Sequence, residues 1–589
     1  VYECLPYRDD AADLIITARA RLDNREELAA ALEIPPTELK TTPDSSLILQ
    51  AYRKWGTDCT QRLLGDWCFA IWDGCQRRLF IARDHFGNTG LYYHYQDRSF
   101  FFASSLKGLL ARREVPRRLN ELRLAQLLVC WHEHGAPTCY QEIFRLPPAH
   151  ALTVGSQGIR VWQYWFLEDT PPLHLGSDQE YLEAFLDLYT QAVRCRLRSL
   201  RSVGVTLSGG LDSGSVAALA ARELKKAGKV LSAFSSVPQY NPDGVVAPGR
   251  FGDETSCIEA TSRHAGNIEN IYIRAEEISP LDGIRQGLYL HDEPGHAAAN
   301  YFWMTGLLQA AQCRGFGVLL TGQGGNGTVS WSGQGYLASL ACTGQWHTLR
   351  RELLHLRTTQ HRPLWRIFAG QVVKPFIAPY WSYRYRLLKP GREPWADYAA
   401  INPEFARRLH LTDLMAQFGH DPTFSPRASS RALRYALLKP GSSFAGALWQ
   451  ELGAGFGLEA RDPTSDKRLM EFCLAIPDEQ YAKGGFDRRL IRVGLKGLIP
   501  SEVLDNTRRG LQAADIGWRV RDSWREIDQA LRQVEDSAAA RCYLDVRKMR
   551  AILESIKAHI SRSNSDQTAT ILLRGLMTGL FVTENNFTS

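Results

Sequence analysis

One stretch, Leu207-Ser208-Gly209-Gly210-Leu211-Asp212-Ser213, constrains this chain more than any other. The β-branched run before it, Val203-Gly204-Val205-Thr206, reads as a buried strand, and the Ala- and Leu-rich run of 215–226 reads as a helix. A strand, a glycine turn and a helix start together make an anion site. The glycines let backbone approach a ligand closely, successive N–H groups converge on one point, and the helix dipole favours negative charge there. Ser208 and Ser213 add hydroxyls. Asp212 would repel phosphate unless a cation lay between them, so the expected ligand is a nucleotide pyrophosphate with Mg²⁺. The Lys-Ser/Thr ending of a Walker loop is absent, which argues against kinase-like and GTPase chemistry.

The 589 residues call for two or more domains, with the apolar and charged fractions of a globular protein. No apolar run is long enough to span a membrane, and Val1-Tyr2-Glu3-Cys4 does not open a signal peptide. Twelve cysteines without a CxxC pair argue against a disulfide framework or zinc ribbon, so a cytoplasmic location is expected. The net charge of +7 is too mild for a nucleic-acid binder, and Arg194, Arg196, Arg198 and Arg201 read as a solvated helix face.

Residues 1–165 hold short apolar segments (Leu14–Ile16, Trp67–Trp72, Leu79–Ala82, Leu91–Tyr95, Phe100–Ala103) that predict a layered α+β domain. Residues 166–177, with Pro171-Pro172, read as a linker. From 178 the chain alternates strand and helix through Val203–Leu207, Val230–Ser235, Ile271–Ile273 and Val318–Leu320, which predicts an α/β parallel sheet with its ligand at the strands' carboxyl ends. The remainder to 589 is expected to form a helical lobe. Pro238–Phe251 and Ser561–Gln567 read as mobile, the first as a lid.

The 207–213 motif is similar to that of the PP-loop ATP pyrophosphatases. The rest of the chain resembles the asparagine synthetase B superfamily. That likeness rests on Ala51-Tyr52-Arg53-Lys54-Trp55-Gly56, Leu64–Asp73, Leu79–Gly87 and Leu91-Tyr92-Tyr93 in the first part. In the second it rests on Asp292-Glu293-Pro294, Thr321-Gly322-Gln323-Gly324-Gly325-Asn326-Gly327 and Gly457-Leu458-Glu459-Ala460-Arg461. The resemblance implies an Ntn glutaminase-like first domain and an ATP-binding synthetase domain over 178–589.

The departures are informative. Glutaminases of this kind begin with a cysteine whose α-amine activates it. Residue 1 here is Val, Cys4 has no free amine, and the chain reads as starting inside the domain. The glutamine-gripping Asn-Gly-Glu segment aligns with Arg19–Asn24, where Ala20 and Arg21 leave no grip; Asp44 is what persists of its acidic half. The first domain is therefore expected to be degenerate. In the second, Gln323 stands where the family places an acidic or tyrosyl residue, Asn326 at a Mg²⁺-binding Asp, and Arg508 near a catalytic lysine. Gln323 cannot take up a proton, Asn326 offers Mg²⁺ a carbonyl oxygen, and Arg508 can grip phosphate in bidentate fashion.

With the strings Asn506–Asp515 and Ala400–Phe405, these changes look similar to the lasso peptide cyclases, the macrolactam-forming branch. That resemblance implies adenylation of an Asp or Glu side chain of a precursor peptide, then attack by the peptide's N-terminal amine. It also implies a leader peptidase and a leader-binding protein as partners. Glu459 is then the candidate base, Asp292 and Glu293 an acidic pair near the reaction, and Asp212 and Asn326 the Mg²⁺ ligands. Leu207, Ser235, Thr321 and Gly322 would hold the nucleotide, and Asp466 would orient the loop after Arg461. Trp303, Trp331, Trp365, Tyr380, Trp381 and Tyr383 are candidate cavity walls. His291 and His296 lack a zinc set and read as supporting groups. An asparagine synthetase-like amidotransferase and a non-catalytic ATP-binding scaffold remain alternatives.

Overall fold

The computed structural model describes residues 3–131, 135–295, 297–377, 393–424, 429–585 and 587. Two mixed α/β layers are joined through one shared core. The first 165 residues supply β1 (Tyr7–Asp9), β2 (Leu14–Leu22), β3 (Gly65–Asp73), β4 (Arg78–Arg83), β5 (Tyr92–Gln96), β6 (Ser99–Ala103), β7 (Ile143–Arg145), β8 (His150–Gly155) and β9 (Gly158–Gln163). They form a six-stranded sheet in the order β1-β2-β3-β4-β8-β9 and a three-stranded sheet in the order β6-β5-β7. Period-2 alternation sets the register of the first sheet, and Ile16, Trp67, Phe69, Ile71, Phe80 and Ala82 turn onto one core with the helix Asp44–Trp55. Residues 170–176 connect to the long helix Asp178–Arg196, whose start is capped by the Ser177 side chain accepting from the Glu180 amide.

The second part carries β10 (Ser202–Thr206), β11 (Leu231–Ser236), β12 (Arg250–Phe251), β13 (Ile268–Ile273), β14 (Phe316–Leu320), β15 (Glu459–Arg461) and β16 (Arg509–Gly510). Five of these make a wholly parallel sheet in the order β13-β11-β10-β14-β15. The chain runs outward from β10 to β11 and β13, then returns to the other side of β10 with β14. This reversal opens a crevice at the carboxyl end of β10, where ligands of such sheets bind. The helix Leu211–Lys225 covers β10 with an Ala-rich face that lies close to the strands. A separate two-stranded ladder, β12 with β16, brackets the mouth of the crevice.

The helical lobe is present, with Gln567–Glu584 buried along most of its length. It is not a separate layer. The largest apolar core unites Tyr92, Leu124 and Trp131 of the first part with Phe302 and Leu308 beside the parallel sheet and Leu572 and Leu576 of the last helix. In the Arg194–Arg201 run, Arg194, Arg198 and Arg201 are exposed as a solvated face requires, but Arg196 is not. Arg196 is fully buried and pairs with Asp23 and with Asp466 at 3.0 Å, while Arg198 pairs with Asp44 at 2.6 Å. These arginines join the two parts.

Candidate active site

The turn after β10 folds as its sequence dictates. Ser208 and Ser213 hydroxyls lie 2.8 Å apart across the loop, and the Ser208 amide donates to Ser213 Oγ at 3.0 Å. The loop is thereby closed on itself, and the helix starts directly after Gly210. A cleft of about 190 Å³ opens above it. Thr206, Leu207, Ser208, Gly210, Asp212 and Ser213 form its floor, Gly322, Gln323 and Asn326 one wall, Phe302, Trp303, Leu307 and Trp449 an apolar wall, and Leu511–Asp515 the rim. Leu211 is buried beneath, and Glu254 packs against Gly209.

Asp212 is the electrostatic centre. Its Oδ1 is buried without a hydrogen-bond partner, and enclosure pushes its carboxyl up to about 6, with nearby Ser330 opposing the rise. Gly325 has to be glycine, because a Cβ there would fall inside the Asp212 carboxylate. The loop around it is held from below by buried Asp462, which accepts from the Gly324 amide at 2.7 Å and the Thr464 amide at 2.9 Å. A carboxylate oxygen without a partner, beside the exposed carboxamide of Asn326 on the same cleft, is a donor set that Mg²⁺ accepts when phosphate oxygens and waters complete its shell.

Several expected site residues lie elsewhere. Glu459 is on the edge strand β15, opposite Val318 rather than Leu320, so it sits two residues back from the carboxyl end. Its side chain is 50% exposed and clasps Arg461 at 2.6 Å; it is no part of the cleft. Asp292 and Glu293 follow the helix Pro280–His291, which ends with Asp292 in the left-handed region at φ 53°. That turn carries both toward the first domain. Asp292 pairs with Lys107 at 3.2 Å, and Glu293 pairs with Arg145 and accepts from the Cys139 amide at 3.2 Å. Arg508 is exposed, donates to the Arg250 carbonyl at 2.9 Å and stacks over Phe251, just outside the cleft wall. Ser235 is buried behind β11, where Phe234 and Ser236 line the cleft instead. Thr321 lies on a neighbouring crevice, bonded through its amide to the Arg461 carbonyl.

Of the candidate aromatic walls, Trp303 lines the cleft, Trp331 is buried in the sheet core and Trp365 is 66% exposed on an outer helix. Tyr380, Trp381, Tyr383 and His296 lie outside the described residues. His291 does support its surroundings, with Nδ1 2.6 Å from Glu451. Asp466 caps the helix Lys467–Ala475 and pairs with Arg196 and Arg468.

Three cleft residues escape the sequence reading. Trp449 packs at 6.0 Å from Trp303, and no local signal marks it. Arg519 reaches back one turn to Asp515 at 3.0 Å, an i,i+4 pair that the sequence does display. Asp515 also accepts from the Gln239 amide at 2.8 Å, tying the rim to the 238–251 loop. Glu254 stands just before the helix Thr255–Ala265, and enclosure pushes its carboxyl up to about 7.

The segment expected to have lost its glutamine grip, Arg19–Asn24, carries buried ion pairs. Arg21 is buried and pairs with Asp23 and, at 2.5 Å, with Asp66. Burial alone would raise Asp66, but Arg21 and Arg196 overcome it and hold its carboxyl down to about 2. Asp44 is taken by Arg25 and Arg198. Between this cluster and the cleft lies a crevice of only about 10 Å³, bordered by Asp66, Gln323, Trp449 and Gln450. Gln450 accepts from Arg19 and donates to the Ala460 carbonyl, closing it.

Comparison with known proteins agrees with this architecture. The asparagine synthase family profile matches residues 184–580, and the glutamine amidotransferase domain profile matches 5–165. The chain is 24% identical to asparagine synthetase (glutamine-hydrolyzing) 3 of Bacillus subtilis, over 85% of this chain and 75% of that protein. It is 22% identical to asparagine synthetase (glutamine-hydrolyzing) 1 of the same organism, over 97% and 85%. It is 24% identical to the amidase chry2 of Gibberella zeae, over 54% of this chain and 47% of that protein. With a family profile covering well over half of its length, the chain belongs to the asparagine synthase family, whose members are ATP-dependent, amide-bond-forming ligases.

Proposed function

We propose that this protein is a lasso peptide cyclase. It joins a side-chain carboxylate of a precursor peptide to AMP, then lets the peptide's own N-terminal amine displace the nucleotide. The observation that carries this reading is the pairing of buried charge along Arg19–Asn24. Arg21 holds two carboxylates there, and the crevice toward the cleft is at the lower limit for a single water. The crevice described between the two domains is too small to carry ammonia across, which supports a nucleophile that comes with the substrate.

In the first step a carboxylate oxygen attacks the α-phosphorus of ATP, and the bond to pyrophosphate breaks. The loop amides and the Ser208 and Ser213 hydroxyls hold the departing phosphates. Mg²⁺ on Asp212 and Asn326 would offset the charge that builds there. In the second step the amine nitrogen attacks the carbonyl carbon, and the bond to AMP breaks. Gln323, facing both the cleft and the crevice, can orient the acyl group by donating from its amide. Trp303, Trp449, Phe302 and Leu307 offer the peptide an apolar wall, and holding both peptide ends together supplies much of the rate. A precursor peptide, delivered with a leader-binding protein and a leader peptidase, is the partner this reading requires.

The test is incubation with ATP, Mg²⁺ and peptides that carry a free N-terminus and an internal Asp or Glu. The expected result is AMP release with a product lighter by one water, and none when the N-terminus is acetylated. Glutamine hydrolysis coupled to amide formation on a small acid would establish the amidotransferase alternative instead.

A further inference from the structure

Trp365 takes part in no step described above, and the surface around it is unusual. The helices Trp346–Gln360 and Leu364–Phe368 leave an apolar groove of about 470 Å³ between them. Leu349, Leu353 and Leu364 are its sheltered floor, while Trp346, Leu354, Trp365 and Phe368 stand out into solvent at its edges. The two indoles are 60% and 66% exposed. None of these residues lines the nucleotide cleft. Large apolar groups gathered and exposed on one surface mark an interaction site.

The charge around the groove narrows what meets it. Residues 346–377 carry six cations, Arg350, Arg351, Arg357, Arg362, Arg366 and Lys374, against one acid, and so hold most of the chain's net charge of +7. The acid, Glu352, is buried and turned inward, accepting from the Gly484 amide at 2.7 Å. Helical spacing puts Trp346, Arg350, Leu353 and Arg357 on one face, at i, i+4, i+7 and i+11. Among the described residues, Arg350, Arg357, Arg362 and Lys374 form no ion pair. The Arg366 guanidinium lies 5.2 Å from the Trp365 ring, so charge and indole sit at one depth. Interleaved indoles and cations fit the headgroup region of a bilayer. There the rings settle at the boundary of tails and headgroups, and long Arg and Lys stems follow the apolar surface while their charges reach lipid phosphates. One acidic side chain of a partner would need cations gathered at one point. Here they run along both helices, which suits a continuous layer of phosphates. The longer helix has 15 residues, short of the roughly 20 needed to cross a membrane, so the contact is with its surface.

We propose that the groove face of residues 346–377 docks on an anionic bilayer surface, with Trp346 and Trp365 as its anchors and Arg350 and Arg357 on the lipid phosphates. The chain is thereby held at a membrane face that it does not need to span.

The test is co-sedimentation of the full chain with sucrose-loaded vesicles, of phosphatidylcholine alone and of phosphatidylcholine with phosphatidylglycerol in equal parts. The parent is expected to bind the mixed vesicles, and to bind neutral vesicles, or mixed ones in high salt, at least about tenfold more weakly. Trp346→Ser combined with Trp365→Ser should lose at least about tenfold, because the indoles supply much of the apolar contact. Arg350→Gln combined with Arg357→Gln should lose about fivefold for each cation. These side chains are exposed, so both variants should keep the parent's melting temperature. Should a variant fold poorly, the parent still gives a reading: brominated acyl chains should quench its tryptophan fluorescence in mixed vesicles. Absence of binding or of quenching in the parent overturns the proposal, and so does binding that survives in both double variants. A dimer that the tryptophan variant dissolves would make a second copy the occupant and overturn it too. So would binding of a synthetic leucine-glutamate helix by a parent that leaves vesicles alone.

Discussion

The two halves of this molecule treat buried charge in opposite ways. In the first domain the charges around Arg21 sit in ion pairs: Arg21 with Asp23 and Asp66, Asp44 with Arg25 and Arg198. In the second, polar groups face the cleft without satisfaction, with Asp212 Oδ1 lacking a partner and Gln323 and Asn326 open. A buried carboxylate with a counter-ion, such as Asp23 or Asp66, is architecture; one without, such as Asp212, is a place for a cation or ligand. The carboxyl groups respond to their surroundings: Asp66, beside Arg21 and Arg196, is held down to about 2, burial raises Asp23 next to it, and enclosure pushes Asp212 and Glu254 up to about 6 and 7.

The sharpest way to break this contrast is Asp212→Asn. It should lower AMP formation at least about a thousandfold, the scale of losing a preorganised charge at the phosphates. Near-parental AMP release by chromatography, with Mg²⁺ present, would remove Asp212 from the site. Next in size is Arg21→Ala, which leaves Asp66 without its ion pair and Asp23 with Arg196 alone, and should cost about 3–5 kcal/mol in urea unfolding. A loss under about 1 kcal/mol would show that the cluster is not built around that ion pair. The same variant should show no glutamine hydrolysis.

The third test uses pH. A carboxyl whose folded value is raised stabilises the fold below its unfolded value near 4 and loses that contribution as pH rises. For Asp212 the contribution falls away as pH rises from about 4 through about 6 and is gone about one unit above that. Ligand-free Asp212→Asn should therefore melt above the parent at pH 8 by up to about 3 kcal/mol equivalent, with the gap closing toward pH 4. Asp66 runs the other way: its contribution is present above about 3.8 and fades as pH falls toward 2. A gap that does not change with pH would mean that the Asp212 charge is not strained by enclosure. The smallest effect belongs to Glu459→Gln. Being half exposed and outside the cleft, it should change turnover by less than about twofold and stability by under about 1 kcal/mol. A hundredfold loss of ring closure would return it to the reaction.

What the sequence disclosed follows the range of the interactions involved. The phosphate loop is legible because strand, glycines and helix start are contiguous and each has a local physical cause. The paired strands of the first domain are legible as short apolar runs, because β3 and β4 are buried on both faces. Glu459 misleads because its motif fixes the neighbourhood but not the register, and two residues of register separate the strand's end from its middle. The Arg194–Arg201 run misleads because exposed and buried arginines look alike until Asp23 and Asp466, far away in the chain, come to meet Arg196. Asp292 and Glu293 turn away from the cleft at a single left-handed residue that no periodicity announces. Glu254 and Trp449 acquire meaning only when segments two hundred positions apart close on the same loop.

The helix Ala445–Gly455 sends three consecutive side chains to three different neighbours: Trp449 to the cleft, Gln450 to the closed crevice, Glu451 to His291 and Tyr92. Successive residues turn by about 100°, so such a helix has no idle face and cannot roll without breaking two contacts to remake one. New substrates can then be admitted by trimming the indole of Trp449, while the rod that carries it stays fixed.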